Sequence, residues 1–242
     1  MRRQSGILLH ISSLPSRYGI GSLGQAAYQF VDFLEASGQT LWQVLPIGVT
    51  GFGDSPYQSF STFAGNPYFI DLEELLEQDL LEPAEVQAAS QNGSVDHVKY
   101  GMLFETRLPL LKKAALRGYG RYGAEEQDFY RENEDWLPDY SLFMALKKHF
   151  SQKPYWEWPK EIRDREESAM EHYRELLVED ISSAEFNQFL FDRQWRDLKE
   201  YASRHEVEII GDLPIYVAED SADTWSHPEL FMLDENRRPT EV

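Results

Sequence analysis

Ile7-Leu8-Leu9-His10-Ile11 and Leu41-Trp42-Gln43-Val44-Leu45-Pro46-Ile47 are two short apolar runs, and the segment between them decides the fold. The first run ends in the turn-forming Ser12-Ser13-Leu14-Pro15-Ser16, the pattern of a buried strand passing into a loop. Ser22 then stands three residues before Gln25, the spacing of a capping box. Ala26, Phe30, Phe33 and Leu34 follow at helical spacing, and Gly38 supplies a stop. Strand, helix and strand within about forty residues form a βαβ unit, whose two strands are parallel neighbours.

Beyond this unit the period is lost. Residues 48–70 are rich in Gly, Pro and Ser, and carry Phe52, Tyr57, Phe60, Phe63, Tyr68 and Phe69. Loops longer than about 12–15 residues are usually functional or disordered, and this one is too aromatic for disorder. The pattern then predicts helices over 73–81, 100–117, 124–135, 139–150, 160–179 and 183–204. Pro109 is expected to kink or split the second of these, and Ser182 with Glu185 to cap the last. Val207-Glu208-Ile209-Ile210 reads as a third strand, running through Gly211-Asp212-Leu213-Pro214-Ile215-Tyr216-Val217 into another loop. Three strands around a helical insertion are an incomplete α/β sheet: either a small open sheet or the first part of something longer.

Composition narrows the function. The chain has 242 residues, with 23 Lys plus Arg against 42 Asp plus Glu, a formal net charge of −19. So acidic a surface repels phosphate backbones and anionic lipids, which argues against nucleic-acid and membrane partners. Cysteine is absent, so disulfides, thiolate nucleophiles and Cys-ligated metals are excluded. The apolar run at Ile7–Leu9 is shorter than the roughly 7–15 residues of a secretory signal, and no stretch approaches the roughly 20 of a membrane span. The expectation is a soluble, cytoplasmic protein.

Gly19-Ile20-Gly21-Ser22-Leu23-Gly24 fits the dinucleotide fingerprint G-x-G-x-x-G. Two features count against a cofactor there. Ser12 to Tyr18 separate the glycines from the strand, and Val44-Leu45-Pro46 stand where an acidic residue belongs. The six His residues show no metal-ligand spacing, and no P-loop or nucleophile elbow is present.

The stronger signal is a pair of strand-end segments: Gly51 to Ser59 after the second strand, and Gly211 to Asp220 at the end of the third. Ligands of parallel α/β folds bind beyond the C-terminal ends of the strands, so both segments are candidates for one site. Asp54, Ser55, Gln58 and Asp212 are suited to hydrogen-bonding sugar hydroxyls, and Tyr57 to stacking on a ring. The alternative is that Asp54 and Asp212 serve as turn and cap residues.

At these residues the chain resembles the 4-α-glucanotransferases, the amylomaltase or disproportionating-enzyme family, glycoside hydrolase family 77. The likeness rests on Gly6–His10 with Ser13-Leu14-Pro15, Trp42–Pro46, Asp54–Ser59 and Phe63–Tyr68. It continues through Asp139–Lys147, Phe191 with Arg193-Gln194-Trp195, and Gly211–Trp225. The resemblance implies a partial (β/α)₈ barrel. Residues 1–71 would start the catalytic barrel, 72–204 form a mainly helical insertion, and 205–242 hold the third barrel strand and its loop. It further implies transfer of α-1,4-glucan segments between maltooligosaccharides, starch or glycogen chains, with retention through a covalent glycosyl-enzyme and no cofactor.

The family's catalytic carboxylates lie on later strands, so no catalytic residue is assigned in this chain. Tyr57, Ser55, Asp54, Gln58 and Asp212 are the implied substrate contacts. Phe52 stands where relatives often carry Tyr at a secondary glucan surface. A stand-alone or degenerate glucan-binding module is the alternative. For an isolated piece, apolar faces including Trp42, Phe189 and Trp195 are expected to be partly exposed.

Overall fold

The structure, a computed structural model, describes residues 3–51, 53–90 and 97–240. Three short parallel strands, β1 (Gly6–Leu8), β2 (Leu41–Gln43) and β3 (Glu208–Ile210), form a sheet in the order β1-β2-β3. The first four helices are α1 (Gln25–Ala36), α2 (Leu72–Glu77), α3 (Pro83–Ser90) and α4 (Tyr100–Gly118). Next come α5 (Ala124–Glu132), α6 (Leu137–His149), α7 (Lys160–Arg163) and α8 (Glu167–Leu176). The long α9 (Val178–Arg204) and the short α10 (Ala222–Ser226) complete the α-helices among the described residues.

The described chain gathers into two compact units. The first comprises Met1–Ile47, Gly65–Gly118 and Asn187–Leu213; the second comprises Gly48–Ala64, Tyr119–Phe186 and Pro214–Val242.

The first unit holds the sheet. Ile7, Trp42 and Ile209 lie in register across it, so Trp42 occupies the central strand. Its indole is fully buried, donates to the Leu9 carbonyl at 2.7 Å, and meets Phe30 of α1 edge-on at 4.9 Å. Phe189 is likewise fully buried on α9, and only Trp195 of the three aromatics is half-buried. The expected exposure of Trp42 and Phe189 is therefore corrected: a central strand and an inward helix face are covered within the unit itself. Around the sheet, exposed apolar side chains lie on the outer strands and just past them, at Leu8, Ile210 and Leu213.

Local chemistry explains several departures from the periodic reading. α1 buries Ala27, Val31 and Leu34, while Phe33 faces outward and stacks on Phe30. Ser22 does not cap α1; Gly24 is the N-cap, and the Ser22 hydroxyl is used elsewhere. The stop at Gly38 holds. Its N–H donates to Glu35 O and that of Gln39 to Leu34 O, the two bonds of a Schellman ending, with Gly38 at φ +68°.

The glycines of the G-x-G-x-x-G stretch have structural uses. Gly19 takes φ +80°, and a Cβ on Gly21 would lie 1.9 Å from the Ile11 carbonyl oxygen.

α4 runs unbroken through Pro109, contrary to a split, because Leu103, Leu110, Leu111 and Ala114 hold its inner face in the core. The helix expected over 160–179 is interrupted at Arg165, whose φ of +60° is left-handed. α9 starts at Val178, which puts Ser182 and Glu185 inside the helix instead of at its cap.

The second unit has an aromatic core. Phe143 of α6, Trp158 and Trp225 of α10 pack with centroids 5.4–6.0 Å apart, and the Trp225 indole donates to Ile162 O at 3.1 Å. No helix among the described residues is long and apolar enough to cross a membrane.

Candidate functional site

Four of the predicted contact residues sit on one hairpin of the second unit. Thr50 and Ser59 form an antiparallel bridge, and Gly51 N–H donates to Gln58 O at 3.1 Å. The tip turns through Gly53 at φ +94° and Asp54 at φ +60°, a conformation that Gly and Asp tolerate better than most residues. Asp54 N–H closes onto Gly51 O, and Gln58 N–H onto Ser55 O. Ser55 Oγ accepts the Tyr57 N–H at 3.3 Å, which leaves its hydroxyl proton to be donated elsewhere. The Tyr57 ring is 45% exposed, and the Asp54 and Gln58 side chains are exposed. One short turn thus presents an aromatic face beside a carboxylate, an amide and a hydroxyl. Asp54 also forms the turn through its backbone, at φ +60° and with its N–H on Gly51 O. Phe52 lies outside the described residues.

Asp212 belongs to the first unit, half-buried just beyond the end of β3. The same ends of β1 and β2 lead into His10 and Val44. His10 is buried edge-on to Phe69 at 5.4 Å; burial lowers its pKa to about 4, so the ring is neutral near pH 7.

A cavity of about 1500 Å³ also opens in the first unit, lined by the Ser12–Tyr18 loop and the acidic Asp71, Glu73, Glu74, Glu77 and Asp197. None of the predicted contact residues lines it. No group of acidic or His residues among those described is arranged to hold a metal ion.

The 4-alpha-glucanotransferase profile of glycoside hydrolase family 77 matches residues 9–237. The chain belongs to this family. Among the curated 4-alpha-glucanotransferases, that of Thermus thermophilus is 47% identical over 245 residues, covering 99% of this chain and 48% of the relative. That of Streptococcus pneumoniae serotype 4 is 46% identical over 241 residues, with the same two shares of 99% and 48%. The chain therefore spans about half the length of the curated relatives it matches. Among solved family structures, the amylomaltase from Streptococcus agalactiae in complex with acarbose superposes with a TM-score of 0.93 at 45% identity. That match covers 98% of this chain and 48% of the other. The fold is amylomaltase-like, with a parallel three-stranded sheet among many helices.

Reasoning from sequence passes over Lys147 and Asp220, an ion pair of the second unit at 2.6 Å in which Lys147 is buried and Asp220 is partly exposed. A signal existed: Lys147 closes the apolar run Leu142-Phe143-Met144-Ala145-Leu146, where a cation is out of place unless it is paired.

Proposed function

We propose that the full-length protein is a 4-α-glucanotransferase that moves α-1,4-glucan segments between maltooligosaccharide, starch or glycogen chains. In this reading a carboxylate attacks the anomeric carbon with retention, and a sugar hydroxyl displaces the resulting covalent glycosyl-enzyme. The carboxylates come from polypeptide outside these 242 residues. The three strands are the first of a (β/α)₈ barrel in which 72–204 is inserted, and the protein works in the cytoplasm without a cofactor.

The role of this chain is substrate contact. Tyr57 stacks on a glucose ring, while Ser55, Asp54 and Gln58 beside it hydrogen-bond sugar hydroxyls; Asp212 is a glucan contact of the first unit, and Phe52 adds a contact at a secondary glucan surface. The observation that carries this reading is the hairpin, which fixes the backbone around a Tyr ring left 45% exposed. Exposed aromatic rings held in place next to polar groups suit pyranose faces, whose C–H surface is apolar and whose rim is hydroxylated.

The test is maltotriose disproportionation. The full-length protein is expected to release glucose and build dextrins longer than maltotriose, whereas residues 1–242 alone give neither. Hydrolysis without longer products from the full-length protein, or transfer by the 242-residue chain, overturns the reading.

A further inference from the structure

Lys147 of α6 is 2% exposed, yet its ammonium is fully used. It donates to Asp220 Oδ2 at 2.6 Å, to Gln152 O at 2.9 Å and to Lys153 O at 3.0 Å. It also stands 5.2 Å from the centroid of the Phe60 ring, a cation–π distance. Phe60 is the residue next to Ser59, on which the Tyr57 hairpin closes.

The same base is tied a second time. Asp220 Oδ1 accepts the Tyr155 N–H at 3.1 Å, which fixes the start of the segment leading to α10. From that segment Ala222 N–H donates to Phe60 O at 2.8 Å, and Asp223 Oδ2 accepts the Thr62 N–H at 2.9 Å. Phe143 of α6 completes the seat, 6.1 Å from the Phe60 ring. The base of the hairpin is thus gripped from α6 on its ring and from residues 220–223 on its backbone, and Lys147 joins the two grips. All of these groups belong to the second unit.

We infer that Lys147, through Asp220 and Phe60, is a positioning residue for glucan binding: it holds the base of the hairpin so that Tyr57 is presented in one fixed orientation. The inference rests on the reading of the hairpin as a glucan contact. Preorganisation of this kind lowers the ordering cost of binding, so its loss shows in KM before kcat. A buried cation deleted on its own also strands Asp220, which loosens the 220–223 segment and both of its bonds to the hairpin.

The experiment is Lys147→Met in the full-length protein, with Asp223→Ala as a second variant that removes the carboxylate holding Thr62. Two readouts are taken well below the melting temperature. Amide hydrogen exchange over residues 48–64 is expected to accelerate at least about tenfold while α6 stays protected. KM for maltotriose is expected to rise roughly tenfold with kcat within about threefold.

Unchanged exchange over 48–64 in Lys147→Met overturns the clamp, and so does faster exchange with KM unaltered. If Lys147→Met does not fold, Asp220→Asn, which removes the charge that Lys147 pairs with, decides on the same two readouts. A Tyr57→Ala control with unchanged KM identifies failure of the glucan reading instead, because the exchange readout does not depend on substrate.

Discussion

The hydroxyl of Ser22 donates to the carboxylate of Asp71 at 2.6 Å, joining the loop before α1 to the start of α2 inside the first unit. The other oxygen of Asp71 caps α2, accepting Glu73 N–H at 3.0 Å and Glu74 N–H at 3.1 Å. Its backbone N–H donates to Gln194 Oε1 of α9 at 2.7 Å. Gly24 lies so close that a Cβ there would stand 2.0 Å from Asp71 Oδ2.

Asp71→Ala removes a helix cap worth about 1 kcal/mol and strands a buried hydroxyl at about 1–3 kcal/mol. The expected cost is ~2–4 kcal/mol, read as a lowered urea midpoint. Asp71→Asn keeps an oxygen for the cap and is expected to cost less than half as much.

Gln188 of α9 clasps Gly65 by both backbone groups, accepting its N–H at 2.8 Å and donating to its carbonyl at 2.9 Å. A Cβ at Gly65 would lie 2.1 Å from two carbons of the Phe191 ring. Gly65→Ala is expected to cost about 3 kcal/mol by overpacking, and Gln188→Ala a similar amount through the stranded amide and carbonyl. Because clash and ring share one volume, Gly65→Ala with Phe191→Ala is expected to cost less than the sum of the two singles in chemical denaturation.

Acid and base weaken the protein through different groups. Burial lowers the His10 pKa from 6.5 to about 4, so its contribution is complete above pH 6.5 and is lost as the pH falls from 6.5 towards 4. Burial raises the carboxyl of Glu185, on α9, from 4.5 to about 7; its contribution is complete below pH 4.5 and is lost as the pH rises through 7. Between pH 4.5 and 6.5 the two opposing slopes cancel, so thermal melts are expected to show a broad Tm maximum there, falling by about a degree or two towards pH 4 and towards pH 7. Glu185→Gln is expected to abolish the fall above pH 6.5 and to leave Tm rising with pH below it, and an unchanged alkaline slope would contradict the assignment.

Much of the frame was legible in the sequence because it is written in local periods. The apolar runs at Ile7 and Leu41 with one helix between them lead directly to the parallel pairing of β1 and β2. The composition of residues 48–70 marks a structured aromatic loop, though not the hairpin within it, and the motifs from Trp42 to Trp225 mark the family. Ties across long separations were not legible. Asp223 and Thr62 are 161 residues apart, and nothing in either neighbourhood announces the bond. The inner face of α1 was misplaced for a related reason. Phe30 and Phe33 are equally apolar, yet Phe30 packs against Trp42 beside the buried Val31 and Leu34 while Phe33 is exposed, a choice set by tertiary packing.

The most direct test of the account is the Tyr57→Ala variant of the full-length protein, assayed for maltotriose disproportionation beside the unmodified protein. Removing the ring is expected to take away about 2 kcal/mol of glucan binding, roughly thirtyfold in kcat/KM, with the melting temperature unchanged because the side chain is 45% exposed. A variant whose kcat/KM stays within about twofold of the parent would contradict the claim that this hairpin holds the glucan.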